Sequence, residues 1–98
     1  MVIAFDLRNE IRKTPELTPS WGDGNILTDW RRAAILGGNE ILAINPNVLI
    51  MVGGIFYQLD LTDVKYSPID LNIPNKLVYT GHFYGFSWIV LSWKLFSY

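Results

Sequence analysis

Hydrophobic positions in this chain come in short dense runs separated by long polar stretches. The first run is Val2, Ile3, Ala4, Phe5 and Leu7, and it delivers Arg8, Asn9 and Glu10 at its end. Consecutive apolar side chains in a short segment suit a strand buried on both faces, as in a parallel sheet. A second run over 48–55 (VLIMVGGI) and a third over 76–80 (KLVYT) have the same character. Between the first two the spacing changes. Trp30, Ala33, Ala34, Gly37, Ile41 and Ile44 recur every three or four residues, the stripe of a helix packed on a sheet. The helix is expected over 29–45, with Thr28 as N-cap, Asp29 at the positive end of the dipole and Asn45-Pro46 as its stop. Arg31, Arg32 and Glu40 fall mainly on the other side, and the arginine pair reads as a solvated face. Gly37 and Gly38 each cost roughly 1 kcal/mol against Ala in a helix, which points to close approach of a neighbouring element. Strand, helix and strand in this order make a right-handed βαβ unit the default.

The polar stretches are long. Residues 12–29 hold Pro15, Pro19, Gly22 and Gly24 with Ser20, Asp23, Asn25 and Thr28 between them, the composition of a loop. Loops of this size are usually functional or flexible. Trp21 lies within it and has two uses. It forms a platform on which the apolar face of a pyranose stacks, or it folds back as a plug under the loop. Gly53 and Gly54 close the second run and leave the backbone bare, open to close approach by a ligand or another chain. They open no phosphate loop, since no GxGxxG follows. Residues 56–75 form a second long connection with Tyr57, Asp60, Asp63, Pro68, Asp70 and Pro74, without a strong helix.

Composition narrows the function classes. The chain has 98 residues, half of them hydrophobic, and a formal charge of −1. That length allows at most one small domain. No stretch is rich in Lys or Arg, which argues against a nucleic-acid partner. There is no cysteine, so disulfide frameworks and thiolate metal sites are excluded. His82 is the only histidine, which excludes a multi-histidine metal centre. No serine sits in a Gly-x-Ser-x-Gly elbow. No cofactor is implied. The first residues lack the basic and apolar pattern of a signal peptide, and the compartment stays open. Met1 stands directly against a core-type strand, so the chain is expected to be cut from something longer. Residues 77–98 are long enough to raise a membrane span, but His82, Lys94 and the Gly and Ser content argue against it.

Candidate chemistry sits at the end of the first run. In an α/β barrel, residues at the carboxyl ends of the strands face the active site. A Glu there can donate a proton to a leaving oxygen, and an Asn beside it can hydrogen-bond a substrate hydroxyl. Asn9 and Glu10 supply that pair. Several separated stretches then occur in one order: Asp6-Leu-Arg-Asn-Glu10, Thr28-Asp-Trp-Arg-Arg-Ala-Ala34, Asn45-Pro-Asn-Val-Leu-Ile50, Pro74-Asn-Lys-Leu-Val-Tyr79, and His82-Phe-Tyr84. The set resembles the middle of a glycoside hydrolase family 5 enzyme, a cellulase-type (β/α)8 barrel, from Val2 to about Trp88.

The resemblance implies a partial TIM barrel of class α/β. Its three parallel strands, one clear crossover helix and long loops match strands four to six, in a single incomplete barrel fragment over 1–98. In that parent fold the last ten residues are a loop or the start of the next helix. It implies retaining hydrolysis of a β-linked oligo- or polysaccharide, with Glu10 as general acid/base and Asn9 on a sugar hydroxyl. His82 and Tyr84 inherit substrate-binding or network roles, and Trp21 is the candidate stacking residue. The family is often secreted. Its nucleophile carboxylate lies at the end of the seventh strand, about 5–5.5 Å from the acid/base, and the chain stops before that strand. Glu40, Asp60, Asp63 and Asp70 read as solvated carboxylates rather than replacements. The alternative is an inactive truncated fragment that binds carbohydrate weakly or only associates with other chains through open sheet edges.

Overall fold

The computed structural model describes residues 1–82. Three short strands, β1 (Ala4–Asp6), β2 (Leu49–Gly53) and β3 (Leu77–Thr80), form one parallel sheet in the order β1-β2-β3. The register places Asp6 beside Met51 and Gly53 beside Thr80. All three strands therefore end toward the same rim. Helix α1 (Trp30–Ile44) joins β1 to β2, and a single 3₁₀ turn (Thr62–Lys65) interrupts the connection from β2 to β3. The core is Ala34 and Leu42 of α1, Val48 just before β2, Ile50 and Val52 within it, and Ile69 from the last connection.

Helix and strand positions follow the hydrophobic pattern, with informative differences. The N-cap is Asp29, not Thr28: its carboxylate accepts from the Arg32 N–H, while the Thr28 hydroxyl is bonded to Ser20 Oγ. The buried positions of α1 are Ala34, Gly38 and Leu42, and Ala33 and Ile44 lie in solvent. The inward stripe is thus turned slightly from the expected one. Gly38 justifies its place, because a Cβ there would lie 3.0 Å from Leu71 Cδ2 and 3.3 Å from Ile50 Cγ2. Gly37 has ordinary space around it, with Leu7 Cδ1 at 4.0 Å. Arg31 is not simply solvated. Its Nε donates to the carbonyls of Ser67 and Pro68 and so pins the second connection against the helix.

Strand β1 departs most from expectation. Ile3 is 69% and Phe5 42% exposed, although the run was expected to be buried on both faces. Hydrophobicity states a preference, and burial needs neighbours on both sides. β1 has one paired neighbour, β2, among the described residues. The 3₁₀ turn is the only helical piece in the second connection among the described residues, in keeping with its lack of helical periodicity.

Candidate active site

The site is built where the three strands end. β1 gives way to Leu7, whose N–H still donates to Met51 O, and the chain then turns through Arg8 and Asn9 to Glu10. β3 gives way to Gly81 and His82. The Nδ1 of His82 lies 3.0 Å from Oε1 of Glu10, across the end of β2. Their side chains are 31% and 16% exposed, respectively, so the pair is partly sheltered yet open to a ligand. Parallel strands bring together two residues 72 positions apart in sequence.

Space between the two outer strand ends is filled from the connection that follows β2. Phe56, Tyr57 and Gln58 all have φ near +60°, in the left-handed region (56°, 56° and 61°). Leu59 N–H closes this turn on Phe56 O. Left-handed backbone costs roughly 1–2 kcal/mol for each residue with a Cβ, so the turn persists only because its surroundings hold it. Those bonds are specific. Tyr57 N–H donates to Ile11 O, the side-chain amide of Gln58 donates to Thr80 Oγ1, and Gln58 Oε1 accepts from Glu10 N–H at 2.7 Å. The Gln58 carbonyl accepts from His82 N–H at 3.1 Å. Glu10 itself has φ 41°, which turns its N–H toward the amide.

The Gly53-Gly54 pair explains how this turn fits. A Cβ on Gly53 would overlap the Gln58 side chain, and one on Gly54 would overlap the Asp60 carbonyl. The close approach expected at these glycines is made by the protein's own chain. Trp30 Nε1 donates to Gly53 O and locks the start of α1 to the same strand end.

Among the sequence candidates, the structure brings Glu10 and His82 together. Asn9 precedes Glu10 and is exposed. Trp21 is half-buried, packs against the core and donates through Nε1 to Ser67 O, which is the plug arrangement. Tyr84 lies outside the described residues, as does the apolar tail. Glu40, Asp63 and Asp70 are exposed, and Asp60 is half-buried and accepts from Thr62 N–H. Sequence reasoning missed Gln58, the only buried uncharged polar side chain among the described residues, and the exposed Phe56–Tyr57 pair beside it. The only signal was the two glycines, which mark a close approach without naming the occupant.

A second carboxylate organises the loop before the helix. Asp29 is 7% exposed and accepts from the backbone N–H groups of Gly22, Gly24 and Arg32. Burial pushes its pKa up, but these N–H groups together with the Arg31 charge outweigh burial and hold it below the ordinary aspartate value.

Comparison with known proteins bears on the family and the fold. The family model for cellulase (glycosyl hydrolase family 5) matches residues 1–95. The chain belongs to that family. It is 43% identical to an endoglucanase of Paenibacillus polymyxa over 95 residues, covering 86% of this chain and 23% of that protein. It is 38% identical to the major extracellular endoglucanase of Xanthomonas campestris pv. campestris, covering 86% and 19% respectively. The catalytic domain of the latter superposes with a TM-score of 0.74 at 35% identity, over 94% of this chain and 29% of that one. An endocellulase from Pyrococcus horikoshii, in complex with cellotetraose, gives 0.75 at 34% identity over 86% and 29%. This family 5 chain is therefore part of a (β/α)8 barrel, and it spans about a fifth of the length of the endoglucanases it matches in sequence.

Proposed function

We propose that Glu10 is the general acid/base of a retaining β-glucan hydrolase and that this chain supplies the acid/base side of its active site. The observation that carries this is the Glu10 carboxylate held against His82 at the common end of parallel strands. Only Oε1 is engaged by His82, and Oε2 has no hydrogen-bond partner among the described residues. In the first half of the reaction a protonated Glu10 gives its proton to the glycosidic oxygen as the bond to the anomeric carbon breaks. In the second half the carboxylate takes a proton from water. His82 holds the carboxylate in one orientation throughout. Asn9 contributes a sugar-hydroxyl contact, and the family resemblance gives Tyr84 a substrate-binding or network role. The exposed rings of Phe56 and Tyr57, edge to face at 5.6 Å, offer apolar surface to a sugar beside the pair.

Retention also requires a nucleophile carboxylate about 5–5.5 Å from the acid/base. Among the described residues, the hydrogen bonds around Glu10 lead to His82, Gln58 and Thr80, none of them an acid. Residues 83–98 contain no Asp or Glu. We therefore propose that the 98 residues alone release no sugar and that turnover needs barrel strands supplied from elsewhere.

The test is to install residues 1–95 in place of the matching segment of the Paenibacillus polymyxa endoglucanase and follow reducing ends from a soluble β-glucan. The chimera should be active, and Glu10→Gln should lower kcat by roughly 100- to 10,000-fold. The 98-residue chain assayed by itself should give no product. A Glu10→Gln chimera within twofold of its parent would refute the acid/base role, and turnover by the isolated chain that is lost with Glu10→Gln would refute the missing-nucleophile part.

A further inference from the structure

We propose that Gln58 is a positioning residue for the acid/base, tying the ends of the two outer strands into one unit so that Glu10 and His82 stay in register. The inference rests on the acid/base reading of Glu10 and extends it to a residue that touches no substrate. Gln58 is 1% exposed, yet both ends of its side-chain amide and its backbone carbonyl are used on the site. Its Oε1 accepts from Glu10 N–H, its Nε2 donates to Thr80 Oγ1, and its carbonyl accepts from His82 N–H. One residue thus holds the backbone of both members of the pair and the last residue of β3.

A general framework role would be satisfied by any buried side chain of similar size. Here the amide is needed as both donor and acceptor, since Glu10 N–H requires an acceptor and Thr80 Oγ1 receives a donor. The left-handed conformation of Phe56, Tyr57 and Gln58 is unfavourable for residues with a Cβ. It delivers the amide into the gap between the strand ends, and Gly53 leaves the space that the side chain occupies. Three non-glycine residues held in that region beside a candidate acid/base is the arrangement expected where backbone strain serves a site.

The experiment uses the 98-residue chain labelled with ¹⁵N. His82 is the only histidine, so its ring nitrogens give unambiguous signals. Glu10→Gln should move the Nδ1 signal in the parent, because Oε1 is its partner. In Gln58→Met, which keeps the volume and removes the amide, the same Glu10→Gln change should move Nδ1 by less than half as much. Gly53→Ala, which adds one methyl where the Gln58 side chain sits, should weaken the coupling in the same direction. A folded Gln58→Met chain with undiminished coupling overturns the proposal. Loss of the folded state in both variants would make Gln58 part of the framework and would overturn it equally. In the chimera, Gln58→Met should lower kcat by up to about 100-fold with little change in KM, since misplaced reacting groups lose turnover. A chimera indifferent to Glu10→Gln, with the ring-nitrogen coupling still dependent on Gln58, would mean that the acid/base reading fails while the positioning role stands.

Discussion

The middle and the outer side of this sheet both come from apolar runs of the sequence and differ sharply in what surrounds them. β2 has a paired strand on each side, α1 on one face, and the connection after it folded back over its end. β1 has one paired strand among the described residues, and Phe5 within it and Ile3 just before it meet solvent. The connections that follow them differ in the same sense. The loop before α1 is gathered by a buried carboxylate, Asp29, whereas the turn after β2 is gathered by a buried amide. Stability is therefore concentrated on β2, and the candidate acid/base hangs from the less supported strand. Gln58 carries support from the first side to the second.

The largest effect should come from hollowing the supported side. Ile50 is fully buried and contacts the helix face at Gly38. Ile50→Ala removes three carbons from a packed site and should cost about 2–5 kcal/mol. Thermal or urea unfolding checks it. A loss below about 1 kcal/mol would mean that the core over β2 is loosely packed and that the contrast between the strands is false.

A smaller effect should follow from releasing the loop before the helix. Asp29→Ala removes the N-cap and the acceptor for Gly22 and Gly24, and should cost about 2 kcal/mol near neutral pH. Because the folded carboxylate is held below its ordinary pKa, its contribution is complete above the unfolded value. It is lost as pH falls through the folded one. The gap between parent and variant should therefore close on acidification, as unfolding curves at several pH values would show. A constant gap would assign the effect to packing rather than to the charged cap.

Much of this contrast is legible in the chain, and the rest has physical reasons for being hidden. Three apolar runs and one helical stripe place β1, β2, β3 and α1 within a few residues. The order of motifs placed Glu10 and His82 at one rim, and they lie 3.0 Å apart. The exposure of β1 was hidden because a run such as Val2 to Leu7 carries no record of how many strands stand beside it. The N-cap was misplaced by one residue because Thr28 and Asp29 are both good caps, and only the loop geometry decides which carboxylate or hydroxyl faces Arg32 N–H. Gln58 was hidden for a different reason. Left-handed turns are normally announced by Gly or Asn, and Phe-Tyr-Gln announces nothing.

The smallest effect on stability should come from the open strand, where association is the sharper readout. Ile3 and Phe5 together present apolar side chains on a strand whose outer side has no described partner. Exposed apolar strands of this kind recruit other chains by pairing their free backbone groups. We expect the 98-residue chain to sediment as an oligomer and its unfolding temperature to rise with concentration. Phe5→Lys places a charge on that strand at little cost, since Phe5 is already exposed and surface changes usually stay within about 0.5 kcal/mol. The sedimentation mass should fall toward that of one chain, and the concentration dependence should weaken. A parent chain that sediments as one copy at every concentration would show that β1 needs no partner, and would put the two sides of the sheet on an equal footing.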